Sequence, residues 1–276
     1  MKPRSYLYVG LATTLNIIVN ALTFGRVLWL EGRVSGGVFR NWARRFGYKP
    51  EKYALPTTEA EIISLIKSSA SVRLFGAGHS FNDGVVSDET LISLDKYTGV
   101  VSRDPANNRL TVRGGTRVRD VIKTLFDKGL AFSSLPSHDA QSIAGIISTD
   151  VHGTGKDWGF VSQLVESIKI IDGNGNVFVC QPADDLFKAA IGGIGAVGII
   201  SEVTLNAVPR FKVEQICKME RLAVVESNLD RLLEENDHVS LYIFPFADKC
   251  QINIWNVVKD KKSSFWEIFA SLSISL

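Results

Sequence analysis

The stretch Val72-Arg-Leu-Phe-Gly-Ala-Gly-His-Ser-Phe-Asn-Asp83 holds residues with clear chemical capacity. An apolar, strand-like run enters a tight turn built on Gly76 and Gly78, and His79 and Ser80 follow at once. Glycine accepts φ > 0 and lets backbone approach a ligand closely. Successive N–H groups in such a turn make an anion-binding nest. The turn therefore offers donors to a phosphate and sets an imidazole beside it. A second stretch, from Ser133 through Pro136 and His138 to Gly155, is dominated by small residues: Ser142, Ala144, Gly145, Ser148, Thr149, Gly153, Thr154 and Gly155. Such a run builds no core of its own, so a flat or extended ligand is expected against it, hydrogen-bonded by the hydroxyls of Ser142, Thr149 and Thr154. A Ser/Gly-rich surface loop is the other reading. Ile143, Ile146 and Ile147 argue against it, because their spacing gives a short helix one buried face.

Several chemistries are excluded. No G-x-G-x-x-G follows a first strand with an acid about 20 residues on, so the dinucleotide fold of that type is absent. There is no G-x-x-x-x-G-K-[ST], no G-x-S-x-G and no H-E-x-x-H. His79, His138, His152 and His238 lack metal-ligand spacing, and no metal site is expected. Cys180, Cys217 and Cys250 are isolated and read as reduced thiols. A net charge of +2, with no basic stripe, gives no reason to expect nucleic acid.

These stretches must be positioned by a folded chain, and the composition allows one: 45% apolar and 22% charged over 276 residues. Tyr6 to Leu30 is apolar enough to span a bilayer, which needs about 20 residues, although Asn16, Asn20 and Arg26 interrupt it. A signal anchor is expected there; an interfacial helix and a cleaved signal peptide are the alternatives. Lys2 and Arg4 flank one side, while Arg26 near its end and Arg33, Arg40, Arg44 and Arg45 beyond it flank the other, which by the positive-inside bias keeps the body on the cytoplasmic side of the membrane. A glycine-rich joint (Gly32, Gly36, Gly37) completes an N-terminal segment of residues 1–40.

From there the pattern predicts a helix opening at Pro56-Thr-Thr-Glu-Ala-Glu61 with Thr57 or Thr58 as N-cap. Strands are expected at Val72–Phe75, Thr90–Leu94, Val100–Val101 and Arg109–Arg113, then a helix from Val118 to a glycine cap at Gly129. A hairpin turns on Asp172-Gly-Asn-Gly175, a helix spans Asp184–Ile191, and a strand Ile199–Leu205 follows Gly195-Ala-Val-Gly198. Pro209 marks a domain end. Beyond it we expect strands at Phe211–Ile216, Ser240–Phe244 and Gln251–Val257, a helix at Val224–Glu235, and another element from Ser263.

Gly76-Ala-Gly-His-Ser80, the run Ala144-Gly145 to His152-Gly-Thr-Gly155, and Gly195-Ala-Val-Gly198-Ile199 stand in the order and spacing of one family. The chain resembles the FAD-linked oxidases of the vanillyl-alcohol oxidase/p-cresol methylhydroxylase superfamily. Within that group it is most similar to the sugar-1,4-lactone (gulonolactone and arabinonolactone) and alditol oxidases, which Asn41-Trp42 and Tyr53-Ala-Leu-Pro56 also match. The resemblance implies an α+β fold: a two-subdomain p-cresol methylhydroxylase-type FAD-binding domain over residues 41–210, followed over 211–276 by an incomplete α+β substrate domain.

It further implies FAD, bonded covalently through His79. Phe75, Gly76, Ala77, Gly78, His79, Ser80 and Phe81 would cradle the pyrophosphate side, with Ser134, Ser142, Gly145, Thr149, His152 and Gly153 along the cofactor and Gly198 and Ile199 (or Ile200) at its far end. The activity implied is oxidation of a C–OH of a sugar lactone or polyol, electrons passing to oxygen, a quinone or a cytochrome. His152 is a candidate catalytic neighbour of the flavin, or a packed residue. Asp150 stands where many lactone oxidases carry glycine, and Asp150-Val-His-Gly153 is similar to the branch acting on decaprenylphosphoryl-ribose, a lipid-linked sugar. A flavin-binding module without catalysis is the remaining alternative.

Overall fold

The computed structural model describes residues 31–87 and 89–258. The expected anchor at Tyr6 to Leu30 and the element from Ser263 lie outside the described residues. No described helix is long and apolar enough to cross a membrane, and no described His, Cys, Asp and Glu cluster could hold a metal ion. The described residues divide into two units, Glu31–Gly153 with Trp158–Arg210, and Thr154–Asp157 with the residues from Phe211 on.

In the larger unit, β1 (Arg33–Ser35) and β2 (Val38–Arg40) form an antiparallel hairpin that β3 (Gly47–Tyr48) extends. Read in the sequence as a joint, Gly36 and Gly37 are the two residues of its turn, with φ of +58° and +77°. Two consecutive left-handed residues make the hairpin turn that matches strand twist. Next come β4 (Lys52–Ala54), α1 (Glu59–Lys67), β5 (Val72–Phe75) and β6 (Thr90–Ser93), whose strands form a parallel sheet in the order β4-β6-β5. The α1 start is local chemistry. Thr58 Oγ1 accepts from Glu61 N at 3.2 Å, and the Glu61 carboxylate accepts in return from Thr57 N at 2.6 Å. These bonds from Thr57 also hold the Glu61 carboxyl below its ordinary value.

An antiparallel sheet follows, in the order β11-β10-β12-β8-β7. It is built from β7 (Val100–Asp104), β8 (Arg109–Arg113), β10 (Val165–Ile171), β11 (Val177–Cys180) and β12 (Ile199–Asn206), while β9 (Leu130–Ala131) pairs with β13 (Val208–Pro209). Helices α2 (Val118–Phe126), α3 (Ile143–Ser148) and α4 (Asp185–Ala190) complete the unit. Helix α2 stops at Phe126, short of the expected Gly129. Gly129 lies two residues past the cap, at φ +72°, its N–H bonded to Phe126 O.

The alternation in β8 buries Leu110 and Val112 against Val118, Val121 and Leu125 of α2 and against Ile143, Ile146 and Ile147 of α3. All three α3 isoleucines are buried, as their spacing requires. A second cluster joins Ile62 and Ile66 of α1 to Ile92, Leu94, Ile171 and Ile199. A third packs Phe39, Phe75 and Leu91 with Tyr48 and Tyr53.

The tyrosines make an alkaline prediction. Burial pushes the Tyr48 phenol up to about 12 from 10.0 and raises Tyr53 and Tyr97 too; Tyr48 Oη also donates to Val85 O at 2.7 Å. A phenol whose folded pKa exceeds its unfolded value contributes stability that is complete below about pH 10 and is lost as pH rises toward about 12, because the unfolded chain ionises first. Urea midpoints should hold steady up to about pH 9 and fall between about pH 10 and 12. Tyr48→Phe should flatten that fall, and an unchanged slope in the variant would refute the assignment.

The smaller unit is a sheet in the order β14-β16-β15, from β14 (Lys212–Arg221), β15 (His238–Ile243) and β16 (Lys249–Val258), with α5 (Leu222–Ser227) and α6 (Leu229–Glu234). Val225 packs on Cys250, Ile252 and Ile254. Two features differ from the sequence expectation. Strand β14 runs on to Arg221, paired throughout with β16. The helix expected over Val224–Glu235 breaks at Asn228, whose φ is −123° and whose Nδ2 donates to Val224 O at 2.8 Å. An asparagine side chain that serves the backbone in this way competes with helix continuation.

Candidate active site

Strand β5 ends at Phe75 and delivers the turn Gly76–Ser80. Four consecutive carbonyls of this turn are tied back by one segment. Ala77 O accepts from Gly32 N (2.7 Å), Gly78 O from Trp42 N (3.0 Å), His79 O from Trp42 Nε1 (2.8 Å) and Ser80 O from Asn41 Nδ2 (3.1 Å). Asn41 is almost wholly buried, at 1% exposure, and its Oδ1 accepts from Arg45 N. Occupying the carbonyls removes acceptors from the turn and leaves it rich in donors, as an anion requires. Gly78 has φ +65°, and a β-carbon there would press into Gly32. Segment and turn therefore touch through two glycines.

The opposite wall is α3. Its N-cap, Ser142, accepts from Gly145 N at 3.3 Å. Ser142 Oγ lies so close to Gly76 that a β-carbon on Gly76 would collide with it. Thr149 Oγ1 donates to Gly145 O at 2.9 Å, so its proton is used within the helix, whereas the Ser142 hydroxyl still has a proton to give. Gly198 closes the far side at φ +136°, ahead of the Ile171–Ile199 pairing of β10 and β12.

These elements enclose a cavity of about 520 Å³. Of the residues chosen from sequence, Phe75, Gly76, Ala77, Gly78, His79, Ser80, Ser142, Gly145, Thr149, Gly198 and Ile199 line it. Phe81 lies outside, 60% exposed and edge-on to Trp42. Ser134 is buried beside Gly153, where a β-carbon would meet Leu135 O and Ser134 Oγ. His152 also lies outside the lining: its Nδ1 is 2.9 Å from Gly153 O and its ring stands edge-on to Phe160.

The sequence reading passed over other lining residues, among them Asn82, His138, Gln141, Asp172 and Ile194. Asp172 was legible as a turn former, and it accepts from Asn174 N and Asn176 N as one. Ile194 carried no signal, yet it has φ +51°, a backbone region that strains a β-branched side chain. Such strain collects at ligand sites.

The His79 ring lies between two others, Trp42 at 5.8 Å and His138 at 4.6 Å between centroids. The packing around His138 holds its imidazole below the ordinary histidine value, against the opposing pull of Asp139. Asp139 itself is raised, chiefly by burial. Asp150 has φ +45° and accepts from Ser162 Oγ at 2.6 Å. Asp tolerates this left-handed backbone better than most residues.

The residues present fit FAD. The cavity has the size of a ligand pocket, its turn is a cradle that a β-carbon at Gly76 would fill, and Gln141 Oε1 on its wall is buried with no hydrogen-bond partner among the described residues. Residues 50–181 match the family model for the FAD binding domain, and residues 203–274 that for D-arabinono-1,4-lactone oxidase. Over residues 50–181 and 203–274 the chain is therefore similar to FAD-linked lactone oxidases.

The chain is 31% identical over 232 residues to D-arabinono-1,4-lactone oxidase of Candida glabrata, matching 80% of this chain and 44% of that protein. It is 32% identical over 216 residues to L-gulono-1,4-lactone dehydrogenase of Mycobacterium tuberculosis, over 77% of this chain and 50% of that one. The chain thus spans about half the length of these relatives. Cholesterol oxidase from Brevibacterium sterolicum superimposes with a TM-score of 0.70 at 18% identity, over 82% of this chain and 48% of that chain, which shows the fold.

Proposed function

We propose that this chain binds FAD covalently through His79 and contributes to oxidation of a C–OH of a sugar lactone or polyol. The observation that supports it most directly is the His79 turn: a donor-rich loop, its carbonyls occupied from behind, presenting an imidazole at the edge of a cavity of about 520 Å³. The names of the lactone oxidase and lactone dehydrogenase relatives support the substrate class. Gly76 to Ser80 and Ser142 would hold the pyrophosphate, and the backbone at Gly198 and Ile199 would pack against the remainder. When bound, the flavin supplies an acceptor for the hydride leaving the substrate carbon. The protein's own part is to hold that cofactor in one orientation and to exclude water from it.

Asp150 adds no argument for a lipid-linked sugar, because its carboxylate is engaged by Ser162 and its backbone is of a kind glycine also adopts. His152, away from the cavity lining, is read as a packing residue. Oxygen, a quinone or a cytochrome would take the electrons. The apolar run at Tyr6 to Leu30 supports a membrane-borne body facing the cytoplasm.

Denaturing electrophoresis with in-gel flavin fluorescence tests the linkage. The wild-type band should fluoresce, and His79→Ala should be dark while still releasing yellow FAD on denaturation. A dark wild-type band, or a fluorescent His79→Ala band, overturns it. Anaerobic addition of a lactone panel to the full chain should bleach the flavin absorbance if the C–OH chemistry is right; colour that persists through the whole panel argues for a binding module.

A further inference from the structure

We propose that His138 is the proton acceptor for His79 when the imidazole is joined to the flavin, an inference that rests on the covalent reading of the site. His138 and His79 are 59 residues apart in sequence, yet their rings meet at 4.6 Å between centroids, inclined by 46°. Trp42 closes the other side of His79 at 5.8 Å, and its indole N–H fixes the His79 carbonyl at 2.8 Å. The nucleophile is thus held on its backbone side by one residue and on its ring by two. Both imidazoles line the same cavity.

The chemistry explains why a second imidazole belongs there. A neutral imidazole attacks through one ring nitrogen and becomes cationic unless its remaining N–H proton departs. A neighbouring neutral imidazole removes that proton as the bond forms, and proton transfer of this kind contributes about 10²–10⁴-fold to a rate. The packing that keeps His138 below the ordinary histidine range keeps it in the accepting form near neutrality.

The step balances. A bond forms between a His79 ring nitrogen and the flavin 8α-carbon. One C–H bond of that methyl breaks as a proton, and the His79 N–H breaks with its proton passing to His138. The two electrons of the C–H bond stay on the flavin ring, which takes up two protons. Dioxygen then accepts both electrons and both protons and leaves as hydrogen peroxide.

The test follows covalent incorporation in apoprotein of the full chain, made in a riboflavin-starved host and given FAD. Covalent flavin is read by in-gel fluorescence, and non-covalent flavin by release on acid precipitation. His138→Gln, which preserves bulk and hydrogen bonding, should bind FAD but incorporate it about 100-fold more slowly than wild type. His138→Ala should be equally slow and should be accelerated by free imidazole, a rescue that a packing role would not produce. Wild-type incorporation in His138→Gln, absence of imidazole rescue, or loss of FAD binding in both variants would each overturn the proposal. Failure of the underlying reading shows elsewhere, as a wild-type band without fluorescence or a His79→Ala band that keeps it.

Discussion

Gly76→Ala is expected to yield protein that purifies with little or no FAD. The added β-carbon falls on Ser142 Oγ, with Ser142 Cβ at 3.3 Å behind it. Two responses are open, and both harm the site. Ser142 can rotate away, which gives up its bond from Gly145 N and a cap worth about 1 kcal/mol. Otherwise the turn itself shifts, against a backbone pinned at four carbonyls from Gly32, Asn41 and Trp42. Overpacking of this kind costs about 1–3 kcal/mol, and in the bound state the same atom fills the space of the phosphate. A loss of about 3 kcal/mol in FAD binding is a weakening of roughly 150-fold. The ratio of flavin to protein absorbance measures it directly. The double variant Gly76→Ala/Ser142→Ala should regain part of the thermal stability by removing the collision, yet little of the FAD, because Ser142's hydroxyl is a ligand donor in this reading. Full flavin content in Gly76→Ala would mean that the cofactor does not lie against this turn.

What the sequence disclosed and what it withheld divide along physical lines. The α1 cap, the alternation of β8 and the isoleucine face of α3 were legible because each depends on residues within one or two turns of one another. The Gly76–Ser80 turn was legible for the same reason, since its geometry is written in two glycines. The clamp behind it was not. Asn41 and Trp42 stand 36 to 39 residues before the carbonyls they hold, and nothing local shows that an indole N–H will donate to His79 O. The β1–β3 sheet was missed because its strands are too short to show a period, although Gly36-Gly37 carried the turn signal. His138 stayed hidden within a small-residue run, where only the folded chain brings it against His79. His152 and Gly153 show the converse. Their motif placed them in the series, but the backbone carries them toward Leu135 and Phe160 and away from the cavity lining.

Gly198→Ala is expected to destabilise the larger unit more than any surface change. Two independent penalties meet at this position. Its φ of +136° lies where side-chain-bearing residues rarely go, a strain of about 1–3 kcal/mol. Its missing β-carbon would also collide with Ile171 O and come to 3.0 Å from Ile170 Cγ2. Ile170 and Ile171 are fully buried, and Ile171 pairs with Ile199, the first residue of β12. Neither neighbour can yield without prising β10 from β12, so overpacking adds about 1–3 kcal/mol. The sum, about 2–6 kcal/mol, is a large part of the 5–15 kcal/mol that holds a domain folded. At about 2–4 °C per kcal/mol for a unit of this size, Tm should fall by roughly 5–20 °C. Gly173 is the matched control: it lines the same cavity, but a β-carbon there meets nothing within 4 Å. Gly173→Ala should therefore melt with the wild type. If Gly198→Ala also melts with it, the β10–β12 junction is more accommodating than its carbonyl contact indicates, and the wall that Gly198 and Ile199 give the cavity is not set by the glycine.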